Sequence, residues 1–425
     1  MIAAGATLTL DVEKATAGGR MLARHQGQVV LVWGAIPGER VDARVERVGK
    51  GVAYADTIAV RAASPDRRAD AGDWRCGGSV LAHVNYARQL QLKGEIIQDA
   101  FGRIGRIPLV TPPGVIGSLE SGYRMRARLH AVNGRLGFYR EGSHDLCDAA
   151  ATRQLLPTTS EWIANAQAVM QRERLDGVTG VEIAENVAGD ERACHLELRE
   201  GGDATRCMPL SEGLTGLSVR AADHADAVTL AGTPAIHDVV AVQSVDAPAT
   251  LRLRRHVRAF FQGNRFLIDT LVKEVVANAS DGPIVDLYAG GGLFGLSLAA
   301  VGRGPVTLVE GDSISGADLD LNASAFHGRV RVERRSVEAF LTHIRAGAAS
   351  TIVLDPPRTG LSKDALTGVA RARPGSIVYV SCDVPTLARD ARGLLEAGYS
   401  LNRLTALDLF PNTAHVEVVG VFSRP

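Results

Sequence analysis

One apolar run, SIVYVSC, ends on Cys382, and 35 residues later Glu417 lies in a second, AHVEVVGVF. A lone thiol at the end of a predicted strand, with a carboxylate on a neighbouring one, suits covalent catalysis with a separate base. On residue type alone, a cysteine is more often a buried structural thiol. A glutamate between valines can equally face solvent on an alternating strand. The same half of the chain carries a glycine-rich loop, and the combination favours a methyl transfer in which the protein first bonds to its substrate.

That loop is DLYAGGGLFGLSLAA, which sets Asp286, Gly290, Gly291, Gly292 and Gly295 between a predicted strand, Ile284–Leu287, and a helix. Glycines there let the backbone turn sharply and approach a ligand closely. Glu310, 20 residues after Gly290, ends the next apolar run, VTLVEG. A carboxylate so placed accepts hydrogen bonds from both ribose hydroxyls of a nucleoside cofactor. The loop separates nicotinamide cofactors from S-adenosylmethionine poorly. Asp355-Pro356-Pro357, closing a third strand, favours S-adenosylmethionine.

Uracil C5 needs all of these groups. It attacks a methyl sulfonium feebly until a thiolate adds at C6 and turns the ring into an enolate. A base must then remove the C5 proton so that the thiolate is expelled. Cys382 is the expected nucleophile, Glu417 the base, and Asp355 the group that reads the pyrimidine edge.

The elements that must position these residues follow from patterning. A chain of 425 residues exceeds one ordinary core. Residues 1–62 alternate like a small β-barrel, with Gly18-Gly19 and Pro37-Gly38 at turns and a boundary at Ser64-Pro65-Asp66. Residues 66–245 read as a mixed α+β central domain for RNA recognition, with a helix from Tyr86 to Gly102. Arg124, Arg126 and Arg128 recur at period two and share a strand face, either a solvated surface or an RNA-contacting stripe. A second basic cluster holds Arg252, Arg254, Arg255, His256 and Arg258. Residues 255–425 alternate short apolar runs with helical stretches, the rhythm of a largely parallel α/β sheet. The expected fold class is therefore α/β, with a Rossmann-like C-terminal domain.

Zero formal net charge counts mildly against a nucleic-acid partner, which would need local basic patches. No basic-then-apolar leader or long apolar run is seen, so the expectation is a cytoplasmic monomer without membrane association. Five scattered cysteines argue against a disulfide framework.

These segments together resemble the TrmA-type family of RNA 5-methyluridine methyltransferases. GGRMLARHQGQVVLVWGAIPGERV is similar to the family's TRAM domain, an OB-like RNA-binding barrel. FFQGN, DLYAGGGLFG, VEGD, LDPPRTGL, SCDVPTLARD and LFPNTAHVE match the later motifs in order. The resemblance implies S-adenosylmethionine held by Gln262, Tyr288, Gly290, Glu310 and Asp355, an RNA substrate (ribosomal or transfer), and the roles given above for Cys382, Glu417 and Asp355. A target uridine in a loop is extruded more cheaply than one in a duplex. Arg389 or a helix N-terminus is expected to favour the thiolate.

Three departures from the family pattern stand out. Many members hold a [4Fe–4S] cluster through four cysteines. Here Cys76-Gly77-Gly78 persists, but Asp70, Ser79 and Thr152 stand at the other ligand positions. Even with Cys147 nearby, two thiols are too few, so no iron–sulfur cluster and no other metal is expected. Asp383-Val384 replaces the usual Asn-Pro after the nucleophile, and Ser336-Val337 stands where an acidic residue often meets the adenine. The rival readings are a non-catalytic RNA-binding or folding factor on the same scaffold, a nicotinamide-dependent oxidoreductase, and a methyltransferase acting on cytosine or DNA.

Overall fold

Period-two alternation in the first sixty residues folds as predicted. In the computed structural model, which describes residues 2–69, 72–244 and 248–424, five strands close a barrel in the order Thr7–Ala15, Met21–His25, Gln28–Trp33, Val52–Ala62, Arg40–Gly49. Inward residues such as Val30, Val32, Val41 and Ala53 are fully buried, which is the payoff of alternation in a closed sheet.

The central residues form a seven-stranded sheet in which the Arg126–Val132, Val178–Glu185 and Arg192–Leu198 strands lie side by side. The Pro157–Arg172 helix buries Trp162, Ile163, Ala166 and Met170 in the same core. Not everything in residues 66–245 belongs to this sheet. The helix Tyr86–Ala100, extended by a π-helical turn over Phe101–Gly105, packs against the helix Val384–Glu396. After it, Val115–Ile116 adds an edge strand to the C-terminal sheet beside Ser400–Leu407.

The C-terminal sheet has eight strands in the order Val330–Glu333, Val306–Val309, Ile284–Leu287, Thr351–Leu354, Ser376–Ser381, Glu417–Ser423, Ser400–Leu407, Val115–Ile116. The first five are parallel, while Glu417–Ser423 runs antiparallel to both neighbours. Two apolar cores cover its faces, so Leu287, Ile352, Leu354 and Tyr379 are shut from water. Among the described residues, no helix is long and apolar enough to cross a membrane.

Candidate active site

Sheet register brings the sequence-predicted residues to one edge. Leu287 pairs with Val309 on one side and Leu354 on the other, and Leu354 pairs with Tyr379. Tyr288, Glu310 and Asp355 therefore leave the sheet one residue beyond paired strand ends, at the carboxyl edge where open α/β sheets bind ligands. Ser381 pairs with Val418 in the antiparallel ladder. One further step along that register sets Cys382 opposite Glu417, the spacing of a directly facing side-chain pair. An antiparallel strand at the end of a parallel sheet is what allows the N-terminal end of one strand to meet the C-terminal end of its neighbour.

The glycine loop is shaped by contact. A Cβ on Gly295 would lie 2.2 Å from Leu308 Cδ2 and 2.9 Å from Asp286 Oδ2, so only glycine lets the helix start this close to the sheet. Asp286 Oδ2 accepts the Gly295 N–H at 2.8 Å, and burial pushes its carboxyl up to about 8. Asn322 donates to Gly291 O and closes a two-way bond with the Arg254 backbone, clamping the loop from behind. In front of Gly290 a Cβ would meet nothing, which leaves the ligand side open. Tyr288 takes φ 63°, a left-handed conformation that a bulky residue holds only under constraint. Glu310 accepts from the Gly290 and Asp312 N–H groups at 2.7 and 2.6 Å, which orients its carboxylate beside the open loop. Gln262, nearly buried, donates to Asp355 Oδ2 at 3.0 Å, so the FFQGN segment reaches the same edge. The loop, the acidic strand end and the Gln262–Asp355 pair fit a nucleoside cofactor.

Cys382, Asp355 and Glu417 have unusual electrostatics. Burial pushes the Cys382 thiol up to about 12, Glu417 adds to the shift, and Arg358 opposes it. Burial also raises Asp355 and Glu417, with Asp355 a further cause at Glu417 and Arg358 again opposing. Arg358, in the LDPPRTGL segment, is thus the cation facing this cluster. Arg389, expected in that role, is tied instead to Asp390 and to the Thr359 and Leu361 carbonyls. The helix N-terminus fares better: Val384–Glu396 starts just after Cys382, and Asp383 caps it by accepting from Thr386 N at 2.9 Å. Aspartate caps as well as the usual asparagine does. Ser336 likewise caps its short helix by accepting from Ala339 N.

Arg358 stands inside LDPPRTGL without a mark of its role in the sequence, and the support beneath Glu417 is equally unmarked. Lys93, fully buried, pairs with Asp408 and donates to Phe410 O, while Gln89 exchanges hydrogen bonds with Asn412. Asn264 accepts from the Phe266 and Leu267 N–H groups and donates to Leu409 O. Polar residues at helical spacing, such as Gln89 and Lys93, carry no sequence mark of burial.

The two basic clusters are structural for the most part. Arg124 bonds Gln154, and Arg126 and Arg128 both face Glu182, with Arg128 the exposed member of the stripe. Arg254 pairs with Asp318, and the buried Arg255 with Asp238. The cysteine expectation also needs correction. Backbone bonds from Gly77 to Tyr139 and a bridge between Cys76 and Arg140 bring the 73–79 loop beside the Arg135–Asp148 hairpins, where Cys76 and Cys147 form a disulfide with Cα atoms 5.8 Å apart. Asp70 lies outside the described residues. A Cβ on Gly78 would strike Gln154 Nε2 at 2.1 Å, so that side chain packs directly on Gly78, two residues from Cys76. Two linked sulfurs and a packed glutamine do not fit a four-thiolate cluster.

A barrel joined to a doubly wound sheet, with a thiol and a carboxylate at its ligand-binding edge, is the architecture of an RNA methyltransferase. Residues 237–424 match the tRNA (uracil-5-)-methyltransferase family, and residues 4–58 match the TRAM domain. An uncharacterized RNA methyltransferase of Streptomyces avermitilis is 32% identical, with 98% of each chain covered. The 23S rRNA (uracil(1939)-C(5))-methyltransferase of Pseudomonas putida is 30% identical over 97% of this chain and 93% of its own. The fold is similar to that of the Pyrococcus abyssi tRNA (uracil-54, C5)-methyltransferase, with TM-score 0.78, 23% identity, and 97% and 99% of the two chains covered. The chain belongs to the RNA (uracil-5-)-methyltransferase family and is an enzyme of that class.

Proposed function

We propose that the protein methylates C5 of a uridine in a structured RNA, ribosomal or transfer, through a transient Cys382–C6 bond. The observation that carries this reading is the register that faces Cys382 with Glu417 beside Asp355 and the open glycine loop. S-adenosylmethionine, when bound, supplies an electrophilic methyl group to the activated ring carbon. Gly290, Glu310, Tyr288 and Gln262 would hold it, the backbone approaching closely at the loop and Glu310 accepting from the ribose hydroxyls.

The chain's own residues do the rest. Asp355, steadied by Gln262, accepts a hydrogen bond from the pyrimidine edge and fixes the ring over the thiol. Cys382 gives its proton to water, the anion being favoured by Arg358 and the helix N-terminus, and its sulfur adds to C6, raising electron density at C5. After C5 is methylated, Glu417 takes the C5 proton, the C5–C6 double bond re-forms and the thiolate leaves. A carboxyl raised by burial is a stronger base once ionised, which suits this last step. The barrel grips RNA flanking the extruded uridine.

The test is to incubate purified protein with labelled cofactor and RNA from a strain lacking it, then map modified nucleotides by mass spectrometry. Wild type should yield 5-methyluridine. Glu417→Gln should accumulate a protein–RNA adduct stable to denaturing gels, and Cys382→Ala should give neither. Turnover by Cys382→Ala at the wild-type rate would refute the covalent route.

A further inference from the structure

A cavity of about 200 Å³ lies where the barrel meets the central domain, walled by Trp33, Trp74, Asp56 and Glu46, with Arg75, Arg140, Glu141 and Asp145 also in its lining. Register builds its floor: Trp33 and Asp56 are paired on parallel strands and so face the same way. Trp74 comes from the 73–79 loop and rests on Gly34, where a Cβ would lie 2.7 Å from its ring. Gly34 has φ +73°, a conformation that also excludes most side chains. Asp56 Oδ1 is buried without a hydrogen-bond partner, while Oδ2 lies 3.9 Å from Arg75 Nη2. A buried acceptor left empty is costly, and a donor entering the cavity relieves that cost. Burial and the neighbouring Glu46 push the Asp56 carboxyl up to about 6, against the opposing charges of Arg20 and Arg75.

Arg20 lies over Trp33 and Arg140 pairs with Asp73, which leaves the Trp74 ring, the buried Asp56 oxygen and the half-exposed Arg75, and these match an unstacked nucleobase whose phosphate meets Arg75. A metal ion fits less well, because the described residues contain no group of three or more metal-ligating side chains able to hold one. The carboxylate selects among bases. Guanine presents adjacent N1–H and N2–H₂ donors to a two-oxygen acceptor. Adenine and cytosine each set a ring-nitrogen acceptor beside their amino group, and uracil offers a single N–H between two carbonyls.

We propose that this cavity takes an extruded guanine of the RNA substrate, stacked on Trp74 and read on its Watson–Crick edge by Asp56. This rests on RNA being the substrate, but it concerns a second nucleotide, bound apart from the target uridine. It makes the barrel and central domain a joint specificity site instead of a nonspecific backbone grip.

Two of the protein's three tryptophans line the cavity, so intrinsic fluorescence of the full chain reports its occupancy. Titration with GMP should quench it at concentrations about tenfold below those needed for AMP, CMP or UMP, and IMP, lacking the N2 amino group, should fall between. Asp56→Asn, which replaces one acceptor by a donor, should abolish the GMP preference. Trp74→Ala should weaken every nucleotide, with thermal melting used to verify that both variants fold. In methylation assays Asp56→Asn should raise KM for RNA several-fold more than it lowers kcat. Equal affinity for all four nucleotides, quenching by spermine that GMP does not displace, or an unaltered preference in Asp56→Asn would overturn the proposal. GMP binding needs no methyl transfer. A protein that binds GMP selectively but methylates no uridine sinks the proposed reaction and leaves this site standing.

Discussion

In the proposed reaction Cys382 is a nucleophile kept in reserve. Its thiol sits well above the ordinary cysteine range because burial disfavours the anion, and Arg358 is the main opposing charge. Alkylation by iodoacetamide should therefore keep accelerating from pH 7 to pH 10, where an unperturbed thiol levels off near its ordinary pKa of about 8.5. Cys194 and Cys207 are buried, so Cys382→Ala supplies the blank. Arg358→Ala should slow alkylation about tenfold at fixed pH, the consequence of about one further unit of upward shift. It should lower kcat at least as much. Equal rates in the two proteins would remove Arg358 from the mechanism.

Individual elements do the positioning, and two of them lend themselves to direct tests. The helix Tyr86–Ala100 holds the Glu417 loop through the buried Lys93–Asp408 pair. Breaking such a pair leaves an uncompensated charge and costs about 3–5 kcal/mol, whereas replacing both partners by apolar residues is often close to neutral. Lys93→Met should unfold at markedly lower urea concentration, and Lys93→Met with Asp408→Leu should recover much of that loss. Gly295→Ala forces a methyl group into Leu308 and Asp286. Overpacking of this kind costs about 1–3 kcal/mol, and calorimetry should show weaker S-adenosylmethionine binding as the loop is pushed off the sheet.

At the scale of the whole molecule, the barrel docks on its neighbours through the buried Glu39, which holds Arg67, and through the buried His83, whose Nε2 meets Ala35 O at 3.0 Å. Burial lowers His83 to about 4 from its ordinary 6.5, so the folded protein holds it neutral while the unfolded chain protonates it. Its contribution is complete above pH 6.5 and is lost as pH falls toward 4, by about 3 kcal/mol. His256 and His415 are lowered in the same direction and add to the slope. Replacing His83 by Gln should flatten the pH dependence of urea unfolding across that window; an unchanged slope would mean that the seam does not carry the titration.

Local patterning determined much of this protein without help. Alternation is a property of neighbouring residues, so the barrel was legible from its apolar periodicity, as were the rhythm of the C-terminal sheet and the motifs ending on Asp286, Glu310, Asp355 and Cys382. Which residues meet was decided only by long-range pairing. The antiparallel turn of the last strand brings Glu417 to Cys382, and the crossing of an N-terminal helix beneath the site buries Lys93 against Asp408, 315 positions away. The 73–79 loop, laid against a hairpin, joins Cys76 to Cys147 and helps wall a cavity shared with the barrel. Burial turns a common lysine, arginine or aspartate into a strongly perturbed one, and burial depends on residues far apart in the chain.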